Sequence, residues 1–520
     1  MAILTTFISL GNSRIGQCFF RFSLGDIGME IVLLFASLLV FIAVVSSKIS
    51  FKTGIPVLIF FLGIGILSGS DGLLGIPFDD PKITQWIGSI ALAIILFSGG
   101  LDTRLQSIRI VKWDGLLLST LGVLITTFTV GVLLSFLPGF TLLEGLLIGS
   151  IISSTDAAAV FSILRSRKTT LKGNLRPLLE LESGSNDPMA YFLTITFITL
   201  NLNPASAGIS IAAIFIKEML IGALIGLGIG KIMVFLINKI QLEFEGLYPV
   251  FALAMMLTAY ALSDLLQGNG FLTVYLAGLI LGNNSFIHKK SIMKFFDGIA
   301  WISQITMFIV LGLLVFPSQV IPEAKTGLII ALSLIFVARP LSVFISLAFS
   351  KYSIAEKVFI SWVGLKGAVP IVFATFPMVY GIEKADLIFH LVFFVVLVSV
   401  VLQGTTLGLA AKILGLEDKD SAPGDYLLDK EVIDQIKKDL FEVVIAQDCK
   451  SANRRIIDLN FPSTALIVLV KRGEQLITPN GGTELKPGDR LWIIAESAKD
   501  FSSVMQCIGV EKTADGRIIT

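Results

Sequence analysis

The sequence is poor in charge, cysteine and histidine. Only 15% of its 520 residues are charged, and it contains three cysteines and two histidines. Cys18, Cys449 and Cys507 lack the spacing of metal ligands, and His288 and His390 stand alone in the sequence. Neither a disulfide framework nor a resident metal site is predicted, and no cofactor is expected. The net charge of +1 argues against nucleic acid as a partner.

The first residues lack the pattern of a cleavable signal peptide. A short apolar stretch, Ile3–Leu10, precedes Arg14 and Arg21, and no small-residue cleavage site follows. Met29 directly precedes the first strong apolar run. Residues 1–28 are therefore interpreted as an N-terminal leader to which no function is assigned.

Apolar residues are abundant instead. They make up 54% of the chain, and the mean hydropathy of +0.86 is too high for a soluble domain of this size. Runs of about 20 apolar residues, the length that crosses a bilayer, fill residues 29–416. They predict an all-α polytopic membrane domain of about thirteen helices. The predicted spans are 29–47, 54–70, 84–101, 115–137, 143–164, 178–200, 208–237, 247–266, 270–283, 298–316, 325–348, 355–379 and 386–414.

Loop charges predict the orientation of these spans, because cytoplasmic loops collect Lys and Arg. The loop after the fifth span carries Arg165, Arg167, Lys168, Lys172 and Arg176, and other loops after odd-numbered spans are also basic. Loops after even-numbered spans contain few such residues. The N-terminus is thus predicted outside and the C-terminal tail in the cytoplasm.

The composition changes abruptly after residue 416. Residues 417–435 begin with four charged side chains and are interpreted as a linker, and residues 436–520 are predicted to form a small cytoplasmic α+β domain. Residues 425–440 have helical periodicity, whereas Thr464–Val470 and Arg490–Ala495 have the pattern of short strands.

The sixth span carries two carboxylates and an amide in an apolar setting. With 3.6 residues per turn, Ser183 and Asp187 share one stripe of the helix, and Glu182 and Asn186 share the adjacent one. Ionisable groups inside the membrane are costly and are kept mainly for function. A polar seam that only held helices together would need no more than a hydroxyl or an amide. The set therefore favours a functional site.

Two other spans are interrupted by polar or flexible residues. Ser153–Asp156 breaks the fifth span, and three small hydroxyl residues before an Asp predict a helix that stops and restarts, with the carboxylate as its N-cap. Gly364–Pro370 breaks the twelfth span and contains Lys366, Gly367 and Pro370. Paired broken helices in two halves predict an inverted-repeat transporter whose ion site lies at their crossing.

The eleventh apolar run ends near Arg339, whose guanidinium needs an anion if it is buried. Glu182 is the preferred partner, and this pairing leaves Asp187 to bind either a proton or a cation. Burial disfavours a bare charge on Asp187, so competition is expected and transport would fall at low pH. The alternative, in which Arg339 extends to the membrane surface, stays open.

Three motifs together resemble the monovalent cation:proton antiporter-1 family. They are Ser154–Phe161, Glu182–Pro188 and Ser361–Pro370, and they look most like the bacterial cell-volume-regulation branch of K+/H+ antiporters. The resemblance implies the sodium/proton antiporter fold with inverted repeats, a homodimer in the bacterial inner membrane, and exchange of K+ or Na+ for H+.

The resemblance also implies roles for individual residues. Asp187 resembles the carboxylate that binds both proton and cation, and Glu182 with Arg339 resembles a structural ion pair. An Asn–Asp pair implies electroneutral exchange in this family. Residues that complete the cation site or support the broken helices by this resemblance are Asn186, Ser183, Thr155, Asp156, Lys366, Gly367 and Pro370.

The third span departs from the family pattern. Within Leu96–Leu101 the family commonly has an acidic residue at the position of Ser98. A hydroxyl oxygen remains available there, but the preference between K+ and Na+ stays open.

The tail resembles the C-terminal subdomain of regulators of K+ conductance, from Arg455–Ile457 through Leu485–Leu491. The resemblance implies dimer formation and binding of a small regulatory ligand, in some members a cyclic dinucleotide. A passive dimerisation module is the alternative. No Gly-x-Gly-x-x-Gly segment follows residue 416, so the nucleotide-binding domain that often accompanies this subdomain is not predicted.

Three rival classes remain to be weighed. A cation channel gated by the tail is disfavoured because the sequence has no Thr-Val-Gly-Tyr-Gly-like filter and because midplane carboxylates beside broken helices suit carriers. A carrier of organic or anionic solutes fits poorly with an acidic midplane. An enzyme is not predicted, since no set of nucleophile, base and orienting residue is recognisable.

Overall fold

A computed structural model describes residues 29–53, 56–167, 169–203, 210–418, 440–445, 449, 451–459, 461–462, 465–473, 475–495, 504–505 and 507–508. The chain divides into two compact units, Met1–Asp418 and Lys419–Thr520. The predicted leader and most of the predicted linker and tail helix lie outside the described residues.

The first unit is built from helices. They are α1 (Met29–Thr53), α2 (Val57–Ser68), α3 (Pro81–Asp102), α4 (Leu105–Leu117), α5 (Val123–Ser135), α6 (Leu142–Ile151), α7 (Ala157–Ser166), α8 (Leu175–Leu202), α9 (Ser210–Ile240), α10 (Leu247–Leu265), α11 (Gly270–Gly282), α12 (Lys289–Leu313), α13 (Pro317–Val320), α14 (Ala324–Ser333), α15 (Arg339–Ser346), α16 (Ile354–Trp362), α17 (Val369–Tyr380) and α18 (Ala385–Ile413).

Many of these helices are apolar enough for a bilayer. Among the described residues, seven helical stretches are long and apolar enough to cross a membrane, and several shorter apolar helices accompany them. The prediction of a mostly helical, multi-pass architecture is therefore confirmed, whereas the count of thirteen crossings stays a prediction.

Two π-helical turns interrupt helices in corresponding places. Leu118–Gly122 joins α4 to α5, and Leu334–Ala338 joins α14 to α15. The first turn packs against α15 and the second against α5, so the two interrupted helices cross. Each one is followed along the chain by a helix pair with a break. This repeated order is what inverted repeats predict.

Helix α8 connects the two halves. It packs against α6 and α7 from the first half and against α16 and α17 from the second. Helix α11 also approaches α8 closely, as a hydrogen bond shows: Asn269 at the start of α11 donates from Nδ2 to the Pro188 carbonyl oxygen over 3.0 Å. The polar residues of α8 are thereby placed between both broken helices.

The second unit contains two small antiparallel sheets. Strands β1 (Leu440–Val444), β3 (Ala465–Arg472), β4 (Gln475–Ile477) and β6 (Arg490–Ala495) form one sheet in the order β1-β6-β3-β4, and β2 (Arg454–Arg455) pairs with β5 (Glu484–Leu485). Strands β3 and β6 lie where the sequence pattern predicts strands. The helical half of the predicted α+β domain falls mainly on residues outside the described part.

An ion pair between a buried carboxylate and a half-buried arginine holds the turn before β6. Asp489 accepts hydrogen bonds from Arg472 Nε at 2.8 Å, from Arg472 Nη2 at 2.7 Å and from the Lys486 backbone N–H at 2.8 Å. Burial alone would raise the pKa of Asp489, but these hydrogen bonds and positive charges outweigh it and hold the pKa below its ordinary value. Gly488 has a φ of +87° in this turn, a backbone conformation that residues with a Cβ rarely adopt.

Candidate functional site

The first helix break separates α6 from α7. Helix α6 ends at Ile151 and α7 begins at Ala157, with Asp156 as its N-cap. The Asp156 Oδ1 atom accepts from the Ala159 N–H over 2.9 Å. A short acceptor side chain satisfies the orphan donors of a helix start, which explains why α7 can begin inside an apolar bundle.

The second break separates α16 from α17, between Trp362 and Val369. It is supported from α18. The Lys366 N–H donates to Ser399 Oγ over 3.0 Å, Ser399 donates to Gln403 Oε1 over 2.5 Å, and Gln403 Nε2 donates to the Trp362 carbonyl oxygen over 2.8 Å. Sequence reasoning missed Ser399 and Gln403, although two polar residues one turn apart on an apolar helix are a usable signal.

The two breaks cross and satisfy each other's backbone groups. The Asp156 N–H donates to the Leu365 carbonyl oxygen over 2.9 Å. In the other direction, Lys366 Nζ donates to the carbonyl oxygens of Ser153 and Ser154 over 3.2 and 2.9 Å. Gly367 lies against the Asp156 carboxylate, where a Cβ would overlap it. Non-helical backbone is tolerated at membrane depth only where such internal partners exist.

Helix α8 anchors the first break from the side. Ser183 Oγ accepts from the Ala157 N–H over 3.0 Å and donates to the Thr155 carbonyl oxygen over 2.8 Å. Asn186 Nδ2 donates to Thr155 Oγ1 over 2.7 Å. The Ser183 hydroxyl is thus engaged on both sides, and its contacts are with the backbone of the break.

Three buried oxygens at this crossing lack hydrogen-bond partners among the described residues. They are Asp187 Oδ1, Asn186 Oδ1 and Ser154 Oγ. Asp187 is 4% exposed, and the Ser154 hydroxyl lies beside its carboxylate without forming a well-oriented hydrogen bond to Oδ1. The charged side chains that act on Asp187 through space are Asp156 and Lys366. Carboxylate, amide and hydroxyl oxygens are ligands of hard cations.

Glu182, on the same helix as Asp187, forms a buried ion pair with Arg339. Arg339 Nη1 is 2.5 Å from Glu182 Oε1, and the two side chains are 4% and 2% exposed. Arg339 Nη2 also donates to the Ile360 carbonyl oxygen over 3.3 Å. Gly364 packs on this guanidinium, since a Cβ there would lie 2.7 Å from Arg339 Nε. The pair therefore connects α8 and α15 with the helix that precedes the second break.

The remaining predicted residues lie at the edge of this arrangement. Pro370 is buried in the first turn of α17, a position that tolerates the missing N–H. Ser98 is 9% exposed on α3, and within the described part of the chain no hydrogen bond joins it to Asp187 or Asn186. No group of three or more His, Cys, Asp or Glu side chains that could hold a metal ion occurs among the described residues.

Helices that break and cross beside a buried carboxylate define a class of membrane carrier. Similarity to known protein families and solved structures identifies this class as the cation/proton antiporters. The model of the family described as sodium/hydrogen exchanger, transmembrane, matches residues 33–413. The chain belongs to this family. A TrkA-C domain model matches residues 440–499 of the tail.

Close relatives cover most of the chain. The K(+)/H(+) antiporter NhaP2 of Shewanella sp. (strain ANA-3) is 42% identical over 466 residues, which are 89% of this chain and 81% of the relative. The K(+)/H(+) antiporter NhaP of Alkalimonas amylolytica is 38% identical over 493 residues, 93% of this chain and 85% of the relative. The Na(+)/H(+) antiporter 1 of Methanocaldococcus jannaschii is 29% identical over 407 residues, 71% and 92% of the two chains.

A solved structure confirms the fold class. The sodium proton antiporter MjNhaP1 from Methanocaldococcus jannaschii at pH 8 superposes with a TM-score of 0.66 and 26% sequence identity, covering 74% of this chain and 99% of that chain. The expected antiporter fold is therefore confirmed, and the TrkA-C match to residues 440–499 confirms the tail domain. The chain is a multi-pass membrane transporter of the antiporter class.

Proposed function

We propose that the protein exchanges one K+ for one H+ by alternating access, with proton and cation competing for Asp187. The observation that carries the proposal is the Asp187 carboxylate, which is buried at the crossing of two broken helices with Oδ1 unpaired among the described residues. A buried carboxylate without partners is costly as a bare anion, so it requires either a proton or a cation.

The charges around Asp187 support a one-to-one stoichiometry. Asp156 is engaged as the N-cap of α7, and Lys366 donates to backbone carbonyls of the first break. The opposite charges of Asp156 and Lys366 offset each other, so among the described residues of the crossing it is the Asp187 carboxylate whose charge the transported ion balances. Binding one monovalent cation or one proton neutralises it equally, so the exchange is electroneutral.

The cation would be held by oxygens that are unpaired among the described residues. Asp187 Oδ1, Asn186 Oδ1 and Ser154 Oγ supply one charged and two neutral ligands. We propose K+ rather than Na+ because relatives named for K+ are 42% and 38% identical to this chain, whereas the relative named for Na+ is 29% identical.

The cellular setting forms part of the same proposal. The loop charges support an N-terminus outside and a tail in the cytoplasm, and we propose the bacterial inner membrane because the relatives named for K+ are bacterial. We propose a homodimer that serves pH, cation and volume homeostasis and whose tail regulates exchange in response to a small ligand such as a nucleotide. The TrkA-C match supports the assignment of the tail to this type of domain.

Cation-induced proton efflux from acid-loaded proteoliposomes tests the proposal. Wild type and Asp187→Asn are compared with K+, Na+ and Li+, and Glu180→Gln serves as the matched control because it also neutralises a carboxylate on α8, at a surface i,i+4 pair with Arg176. We expect K+ to drive proton efflux by wild type and by the control, and we expect this efflux to be lost in Asp187→Asn. Transport by Asp187→Asn at the wild-type rate would refute the proposal, and ion flux without proton coupling would favour a channel.

The pH dependence of transport tests competition directly. If one proton excludes one cation at Asp187, the KM for K+ rises about tenfold for each unit by which the pH falls, in the range where the site is mostly protonated. The maximal rate is retained. An imposed membrane potential should leave the rate unchanged. A KM that is independent of pH would contradict competition at a single carboxylate.

A further inference from the structure

A polar cavity lies at the end of the bundle where the chain leaves the first unit. Its volume is about 260 Å³, and it is an open cavity bordered by the end of α7, the last turns of α18 and the residues after α18. The lining residues are Arg167, Thr169, Gly408, Leu409, Lys412 and Glu417. None of them belongs to the Asp187 site.

The cavity carries a net positive charge. Arg167 follows the last residue of α7 and Lys412 lies in the last turn of α18. Neither side chain has an ion-pair partner among the described residues, and Glu417 is the one carboxylate in the lining. Two cations against one anion leave an excess of one positive charge for an anionic ligand.

The walls are held in place by backbone contacts. Leu171 and Glu417 form an antiparallel bridge. Next to it, the Lys172 N–H donates to the Leu416 carbonyl oxygen over 3.0 Å, and the Asp418 N–H donates to the Thr170 carbonyl oxygen over 2.9 Å. The residues that begin the tail are therefore paired with the loop that follows α7, and the cavity between them is preformed.

Gly408 shapes the cavity from the side of α18. A Cβ at this position would lie 3.0 Å from Arg167 Cδ, so the absent side chain lets the arginine cross the helix surface. A role limited to neutralising the negative ends of α7 and α18 would explain both cations. It would not explain why the arginine lies over a glycine beside an open cavity.

Apolar surface adjoins the charged lining. Leu409 lines the cavity and is 54% exposed, and Ile413, one turn further along α18, is 73% exposed. A small water-soluble anion would leave this apolar surface uncovered. A ligand that carries both a negative headgroup and a hydrocarbon chain matches both parts.

We propose that this cavity binds the phosphate headgroup of an anionic phospholipid. Arg167 and Lys412 contact the phosphate, the Thr169 side of the cavity encloses it, and an acyl chain lies along Leu409 and Ile413. Basic pockets between membrane helices at the bilayer surface bind anionic headgroups in this way. The bound lipid would touch both the helix that Asp156 caps and Glu417, at the start of the tail.

Thermal unfolding of the full chain in neutral detergent tests this proposal independently of transport. Phosphatidylglycerol, phosphatidylcholine and inorganic phosphate are added separately to wild type, to Arg167→Gln/Lys412→Gln and to the control Lys290→Gln/Lys351→Gln. The control removes the same charge from exposed positions outside the cavity lining. Phosphatidylglycerol should raise the wild-type and control Tm by roughly 2–4 °C and leave the cavity variant unshifted.

Lys412→Gln alone keeps the test usable if the double variant fails to fold, because the exposed Lys412 has no ion-pair partner among the described residues. Native mass spectrometry should then find bound phosphatidylglycerol reduced about fivefold. An equal response of the cavity variant and wild type would overturn the site. An equal response to phosphatidylcholine or to inorganic phosphate would overturn an anionic lipid as its ligand.

Discussion

Both helix breaks leave backbone groups without helical partners, and side chains of opposite charge at the two breaks satisfy some of them. The first break places a carboxylate, Asp156, at the start of its second half-helix, whereas the second break places an amino group, Lys366, inside its extended segment. The carboxylate caps its own helix, but the amino group serves the carbonyls of the other break. The first break is therefore partly satisfied by local contacts, and the second contributes its polar group across the crossing.

The same difference extends to how α8 supports each break. Ser183 contacts the first break directly, whereas the adjacent Glu182 reaches the helix before the second break through Arg339. Two neighbouring residues of one helix thus serve both halves of the crossing. A change in either break should consequently alter the stability of the other. Four substitutions test how strongly the two breaks are coupled.

The largest effect is expected for the buried ion pair. Glu182→Gln leaves the Arg339 guanidinium, 4% exposed, without its counterion, and should cost about 3–5 kcal/mol of stability. The unfolding midpoint in detergent measures the loss. The double variant Glu182→Leu/Arg339→Met removes both charges and should be more stable than either single variant. If the double variant is no better, the pair is not acting as a coupled unit.

A somewhat smaller effect is expected for Lys366→Met. This change keeps the length of the side chain but leaves the Ser153 and Ser154 carbonyls without their donor, at about 1–2 kcal/mol for each unpaired group and about 2–4 kcal/mol in all. The same midpoint measurement applies, with the exposed Lys351→Met as control. A melting curve like that of wild type would show that the first break does not depend on the second.

Gly367→Ala tests the close approach of the two breaks. The added Cβ would overlap the Asp156 carboxylate, and the required shift should cost about 1–3 kcal/mol. Gly298→Ala on α12 is the matched control, because no described atom beyond its own stretch of helix lies within 4 Å of its Cβ position. Combining Gly367→Ala with Asp156→Ala should restore part of the loss, and strict additivity would argue against direct contact.

The smallest effect is expected for Asp156→Asn, which separates the charge of this residue from its hydrogen bond. Asn is as good an N-cap as Asp, so the stability should change by less than about 0.5 kcal/mol, whereas Asp156→Ala should lose about 1 kcal/mol. Equal losses in the two variants would mean that the negative charge, rather than the hydrogen bond to Ala159, holds the start of α7.

Much of the fold could be predicted because its signals are local. Long apolar runs predicted the helices, the Ser153–Asp156 segment predicted a break with an acidic cap, and short apolar runs bounded by turn residues predicted β3 and β6. The π-helical turns were not anticipated. Leu334–Ala338 has the composition of an ordinary apolar helix, and although Leu118–Gly122 contains Ser119, Thr120 and Gly122, small residues alone do not specify a π-helical turn. Each turn packs against the other interrupted helix, a contact between residues far apart in the chain.

The sequence by itself determined which residues are polar inside an apolar bundle and where its helices break, because hydropathy, helical period and capping preferences act over a few neighbouring residues. Only the tertiary structure decided their partners: Glu182 for Arg339, whose extension to the surface had stayed open, the Ser153 and Ser154 carbonyls for Lys366, and Ser399 for the Lys366 N–H. Those pairs join residues far apart in the chain. Each forms because buried polar groups away from water must find a partner, and the packing of the helices determines which one is within reach.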